Sequence, residues 1–163
     1  MRTQDLPSSG LRSGRSPFRL PQKEVLVMSM RTSWSHEASW PPDPASVSMA
    51  RGFVCGWLGH YQLPWMVQEA RVVVSELATN AVLHAGTPFI VTLARVDGLV
   101  MLSVRDESSE LPASRRLRPS APRGRGLYMV DAYSSTWGVT PDDAGGKSVW
   151  ATFAMEPSPS LQS

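Results

Sequence analysis

Hydrophobic positions change their spacing midway along the chain, and the change divides it into a helical part and a stranded part. From residue 44 to 61, Val47, Ala50, Val54, Trp57, Leu58 and Tyr61 recur every three or four positions, the spacing of one helix face. Asp43 can cap this helix, Pro44 suits its first position, and Gly59 and Pro64 close it. A second stripe runs through Val67, Ala70, Val74, Leu77, Ala78, Ala81 and Ala85, predicting a helix from about Pro64 to Ala85 that Gly86 and Pro88 stop. The pattern then turns to strands. Phe89–Val96 and Leu99–Asp106 are β-rich runs joined by Asp97-Gly98, a strong hairpin signal.

Residues 107–124 are polar, hold Pro112, Pro119, Pro122 and four arginines, and read as a long loop of the lid or binding kind. A short helix over Arg125–Ser135, a strand near Thr136–Thr140, a turn at 142–146 and a strand over Ser148–Met155 complete the order, and Pro157 and Pro159 end the domain. Ahead of the first helix, residues 24–40 carry a short apolar run and the stretch Trp34–Trp40, read as one edge strand. The expected fold is α+β: a two-layer sandwich with helices on one face of a mixed, mostly antiparallel sheet.

Charge sharpens this organisation. The 163 residues carry 16 Lys+Arg and 14 Asp+Glu, a net of +2. Residues 1–22 contribute +3 through Arg2, Arg12, Arg15 and Arg19 against Asp5. Arg115, Arg116, Arg118, Arg123 and Arg125 form a second cluster, and without both clusters the body has 7 basic and 13 acidic groups, a net of −6. The pI near 9.0 thus comes from a tail and a loop, and no generally basic face for nucleic acid is indicated. Arg51 and Arg71 are the only strong cations of the first two helices, which argues against a DNA-reading helix. Residues 1–22 lack periodicity and read as a disordered tail, or else Met28 or Met30 is the true start; residues 156–163 read as a second tail. The single cysteine, Cys55, excludes an internal disulfide and fits a reducing, cytoplasmic setting. No apolar run reaches the ~18 residues of a membrane span, and no apolar run of signal-peptide length precedes Lys23.

Candidate chemistry gathers on the second helix and on the loops that follow. Glu76, Asn80 and His84 stand at i, i+4 and i+8 and share a face distinct from the apolar stripe. Val72, Val73, Leu83 and Ala85 around them predict a largely buried helix, where Glu and Asn need partners. A metal–phosphate would supply them: an amide oxygen suits Mg²⁺, and a Glu one turn earlier could take a proton from a hydroxyl. Asp106, at the end of a central strand, can accept a bond from an exocyclic amine such as that of adenine. Gly124 and Gly126, directly before a helix, would let backbone N–H groups approach a phosphate. Against each stands a plainer reading: a solvated helix face, a strand-terminal Asp, a common Gly-x-Gly turn.

Taken in order, Glu76-Leu77-Ala78-Thr79-Asn80-Ala81, Asp106-Glu107-Ser108, Gly124-Arg125-Gly126-Leu127 and Gly146-Lys147-Ser148-Val149-Trp150 resemble the nucleotide site of the GHKL ATPase superfamily. Residues 33–155 are most similar to its small single-domain branch of anti-sigma-factor serine/threonine kinases and ATP-binding regulators, with lid 107–124. The resemblance implies a Bergerat-type ATP-binding fold, with ATP and Mg²⁺ as cofactors. It implies Asn80 as the Mg²⁺ ligand, Glu76 as catalytic base and Asp106 as the holder of the adenine amine. Gly124 and Gly126 would bracket the lid and contact phosphates, with Arg125 and Leu127 between and beside them. Ser108 follows in the adenine loop, Ser148 would assist adenine binding through its hydroxyl, and His84 would sit near the phosphates or remain a plain surface histidine. The chain departs from the pattern where Asp106-Glu107-Ser108-Ser109-Glu110 carries no glycine, which predicts a stiffer, more acidic rim. Lys147 reads as a strand-edge charge.

The function so implied is a switch kinase that phosphorylates a partner antagonist protein, with a sigma factor or an anti-sigma-factor antagonist as partner. The alternative is a non-catalytic ATP-binding module whose lid governs partner binding. A sensor histidine kinase fragment is rejected, because neither His36 nor His60 lies in a phosphoacceptor helical hairpin. Met49 and Phe53, read as exposed on the first helix, could serve a homodimer or a sigma-factor contact.

Overall fold

The computed structural model of the protein describes residues 31–110 and 125–156, the side chain of Arg125 excepted. The expected tail at 1–22, all but the first residue of the expected tail at 156–163, most of the expected lid, and Gly124 lie outside the described residues. Strand β1 (Thr32–Trp40) leads into helix α1 (Pro44–His60), and a 3₁₀ turn (Pro64–Met66) opens helix α2 (Val67–Asn80). Strands β2 (Phe89–Val96) and β3 (Leu99–Asp106), helix α3 (Arg125–Tyr133), and strands β4 (Thr136–Pro141) and β5 (Lys147–Ala154) follow. The five strands form one sheet in the order β1-β2-β3-β5-β4. Every pairing is antiparallel, so the expected mixed sheet has no parallel pair among the described residues.

Local chemistry accounts for the boundaries. Asp43 is extended and its carboxylate accepts a bond from the Ala45 N–H at 2.7 Å, closing the open N-terminus of α1. Asp43→Ala is therefore expected to cost about 1 kcal/mol in stability, readable as a lower urea midpoint with unchanged slope. Asp97 and Gly98 both take positive φ, 48° and 78°, the geometry a two-residue hairpin demands of its twisted strands. Gly86, at φ 62°, ends the second helix, and its N–H reaches the carbonyl of Ala81 at 3.0 Å. That five-residue reach makes the last turn, Ala81–Ala85, a π turn directly after Asn80.

The core lies between the helices and one sheet face. Val54 and Leu58 of α1, Val73, Val74 and Leu77 of α2 and Val130 of α3 are buried with Val91, Leu93, Leu102, Val104, Val149 and Phe153 of the sheet. Beside this core, β1 meets α1 through rings. Trp34 stacks on Tyr61 with centroids 4.1 Å apart, His36 stacks on Trp57 at 3.4 Å, and His36 Nε2 lies 2.7 Å from the Tyr61 hydroxyl. Phe53 packs edge-on against Trp40 and is half-buried, so of the two α1 residues expected to be exposed only Met49 is, at 57%. No helix among the described residues is long and apolar enough to cross a membrane.

Candidate nucleotide site

Helix α2 presents Glu76 and Asn80 at the margin of the core, not inside it. Both are half-buried, and Leu83 beyond them is 69% exposed, so the expectation of a helix buried on most sides is corrected: one stripe of α2 meets the sheet and the opposite side meets solvent. Partial burial is enough to push the Glu76 carboxyl above its ordinary range, through desolvation of the charged form.

Helix α3 packs on α2 and brings Gly126 against this pair. A Cβ at Gly126 would stand 2.9 Å from Glu76 Oε2, 3.6 Å from Asn80 Oδ1 and 3.7 Å from Asn80 Nδ2. A side chain at this position would crowd the Glu76 carboxylate at the first turn of α3. The last-turn His84 is exposed on the π turn. Leu127 is buried, so its side chain belongs to the interior, while Arg125 contributes the first residue of α3.

At the far end of β3, Asp106 is buried at 5% exposure, and its loop is organised by its own polar groups. Asp106 Oδ1 accepts from the Ser108 N–H at 2.9 Å, Ser108 Oγ accepts from the Glu110 N–H at 3.2 Å, and Thr87 Oγ1 accepts from the Glu107 N–H at 3.1 Å. These bonds take the place of glycine-driven turns in the loop. Gly146 crosses directly over it. A Cβ there would fall 2.3 Å from the Asp106 carbonyl oxygen, and its φ is +93°.

Two expectations about the last strand are corrected. Strand β5 begins at Lys147, one residue earlier than expected, and pairs on both sides, with β3 and with β4. Lys147 is therefore no strand-edge charge: it is 6% exposed, faces Asp106 across the ladder, and places its ammonium 2.9 Å from Asp106 Oδ1. Ser148 stands opposite Arg105 and Thr140, on the other face of the sheet, because successive strand residues alternate sides. Its hydroxyl is not brought to Asp106. The structure thus joins Glu76, Asn80 and Gly126 in one cluster and Asp106, Ser108 and Lys147 in another, and leaves Ser148 out.

The oxygen donors suit a hard cation held jointly with a ligand. An Asn amide oxygen and a Glu carboxylate fit Mg²⁺, and no group of three His, Cys, Asp or Glu among the described residues could hold a metal by itself. Mg²⁺ characteristically completes such a sparse set with substrate phosphates and water.

A family model described as "Histidine kinase-like ATPase domain" matches residues 40–153, well over half of the chain. No curated protein matches the sequence. Among solved structures, the crystal structure of the RsbU and RsbW domains of Rv1364c from Mycobacterium tuberculosis is similar, with a TM-score of 0.55 at 20% identity. The likeness covers 75% of this chain but 32% of that one, so the chain spans about a third of its neighbour's length and shares its fold.

Proposed function

The chain belongs to the histidine kinase-like ATPase family, and on that premise we propose that it is a Mg-ATP-dependent serine/threonine switch kinase of the anti-sigma-factor type. ATP binding follows from the family. The observation that supports transfer is the contact of Gly126 with Glu76 and Asn80, which puts a proton acceptor, a hard-cation ligand and the start of a helix in one place.

In this reading Asn80 would hold Mg²⁺ through its amide oxygen, and the metal would supply screening of the phosphate charge. The first turn of α3 at Gly126 receives phosphate oxygens through backbone N–H groups. Asp106 accepts the exocyclic amine of adenine. The substrate hydroxyl oxygen attacks the γ-phosphorus, its proton passes to the Glu76 carboxylate, and the bond from phosphorus to the β-bridging oxygen breaks to release ADP. Such transfer depends on positioning and electrostatics, and a small residue set suffices for it. His84, on the exposed turn beyond Asn80, is a candidate phosphate contact.

The acceptor would be a serine or threonine on an antagonist protein, with a sigma factor as the regulated partner in the cytoplasm, and Met49 would belong to a partner or dimer contact. The domain so read spans 33–155, with a lid over 107–124. ATP with Mg²⁺ is expected to raise the melting midpoint, and Asn80→Ala to remove the magnesium-dependent part of the rise. At a ligand concentration of 100 Kd the wild-type gain is about 2.7 kcal/mol. A midpoint indifferent to Mg-ATP would overturn the nucleotide site; binding without transfer to any hydroxyl acceptor would leave the non-catalytic module instead.

A further inference from the structure

Asp106 and Lys147 face each other in register across β3 and β5. Their side chains are 6% and 8% exposed, and the ammonium lies 2.9 Å from Oδ1. The same oxygen accepts the Ser108 N–H at 2.9 Å, and Lys147 Nζ donates again to the Ser108 carbonyl at 3.4 Å. Both bonds to the carboxylate therefore fall on Oδ1. Among the described residues no buried side-chain polar atom lacks a partner, so Oδ2, which takes part in neither bond, reaches the surface. One oxygen is held and the other is offered.

We propose that Lys147 is a specificity-determining residue of the nucleotide site, acting through Asp106 to make the base pocket select a 6-amino purine over a 6-oxo purine. The inference rests on the reading that Asp106 meets the base. An ionised carboxylate only accepts hydrogen bonds, whereas a protonated carboxyl also donates. A buried carboxylate is costly without a counter-charge. Lys147 supplies that counter-charge at Oδ1, and with the Ser108 N–H it fixes the direction in which Oδ2 points. Such an acceptor welcomes the amine of adenine and opposes the carbonyl oxygen of a 6-oxo base. Lys147 thus decides whether the pocket reads a donor or an acceptor on the base, without needing to touch the base.

The test compares affinities for ATP and ITP, with Mg²⁺, in the full chain and in K147R and K147M. The wild type should prefer ATP by about tenfold or more, the worth of a charge-assisted bond. K147R keeps the charge and should keep the preference. K147M should bring the ATP:ITP ratio toward one, a change that mere loss of stability does not produce, since it would weaken both nucleotides alike. Should K147M not fold, K147Q, which retains a donor without the charge, takes its place with the same expected collapse. A K147M ratio equal to that of the wild type would overturn the proposal. So would tighter ATP binding by K147M, which would mean that the ammonium competes with the base for Asp106. A wild type that binds neither nucleotide would remove the ATP-site reading and this one with it, an outcome distinct from a wild type and K147M that discriminate equally.

Discussion

Glu76→Gln is expected to cut phosphotransfer by about 10²- to 10⁴-fold while leaving Mg-ATP binding within a few-fold of the wild type. Glutamine keeps the size and hydrogen-bonding reach of glutamate beside Gly126 and Asn80 but cannot take the proton of the attacking hydroxyl. Single-turnover transfer of γ-phosphate to a serine-bearing acceptor, run beside a thermal shift with Mg-ATP, separates the two effects. Equal transfer by wild type and variant would remove Glu76 from the mechanism. The raised Glu76 pKa adds a signature. A general base works only when ionised, so transfer should fall as pH drops through a value above the ordinary carboxylate range. The stability sign is opposite. A carboxyl whose folded pKa is raised by desolvation favours the fold most below its unfolded pKa, and that contribution is lost as pH rises through the folded value. At neutral pH Glu76→Gln should thus fold at least as stably as the wild type, so that lost transfer cannot be blamed on lost structure.

The second large effect lies at the turn before β5. Gly146→Ala is expected to destabilise the domain by about 3 kcal/mol, a fall on the order of 10 °C in Tm. Two costs combine there. The backbone sits at φ +93°, where an L side chain is strained, and the new Cβ would lie 2.3 Å from the Asp106 carbonyl oxygen and 3.0 Å from the Glu107 Cα, both rigid backbone. Gly145→Ala is the control: its φ is +94°, yet nothing lies within 4 Å of its Cβ, so it pays strain alone, about 1 kcal/mol. Equal denaturation midpoints for the two variants would show that the close crossing of Gly146 over Asp106 is not tight. Because Lys147 follows directly, the relief of this clash should also disturb the Lys147–Asp106 pair and weaken ATP binding, whereas Gly145→Ala should not.

Much of the molecule was legible in one dimension, and the reason is that its signals are local. The bounds Phe89–Val96 and Leu99–Asp106 emerged as expected because Asp97-Gly98 can adopt positive φ at both positions and so sets the hairpin register. Asp43 and Pro44 marked the start of α1, and the four-residue step from Glu76 to Asn80 put both on one helix face, since capping and helical periodicity act over a single turn. The order of elements led to helices on one face of a sheet, and the spaced motifs led to the family.

What one dimension left undecided were facts about faces and neighbours. Whether Glu76 and Asn80 are buried depended on where α3 lands, and it lands with Gly126 against them and Leu83 in the open. Whether Ser148 or Lys147 meets Asp106 turned on one residue of strand register, and a one-residue slip exchanges the two faces of a strand. The ladder between β3 and β5 puts Lys147 opposite Asp106 and sends Ser148 to the other side. A lysine beside a turn carries no local mark of burial, because its partner is 41 residues away in sequence and close only once the sheet has formed. The sequence by itself determined the elements, their order and the residues fit for nucleotide chemistry. Tertiary structure alone decided which of them stand side by side, because side-chain direction in a sheet is set by pairing between strands and not by the strand that carries it.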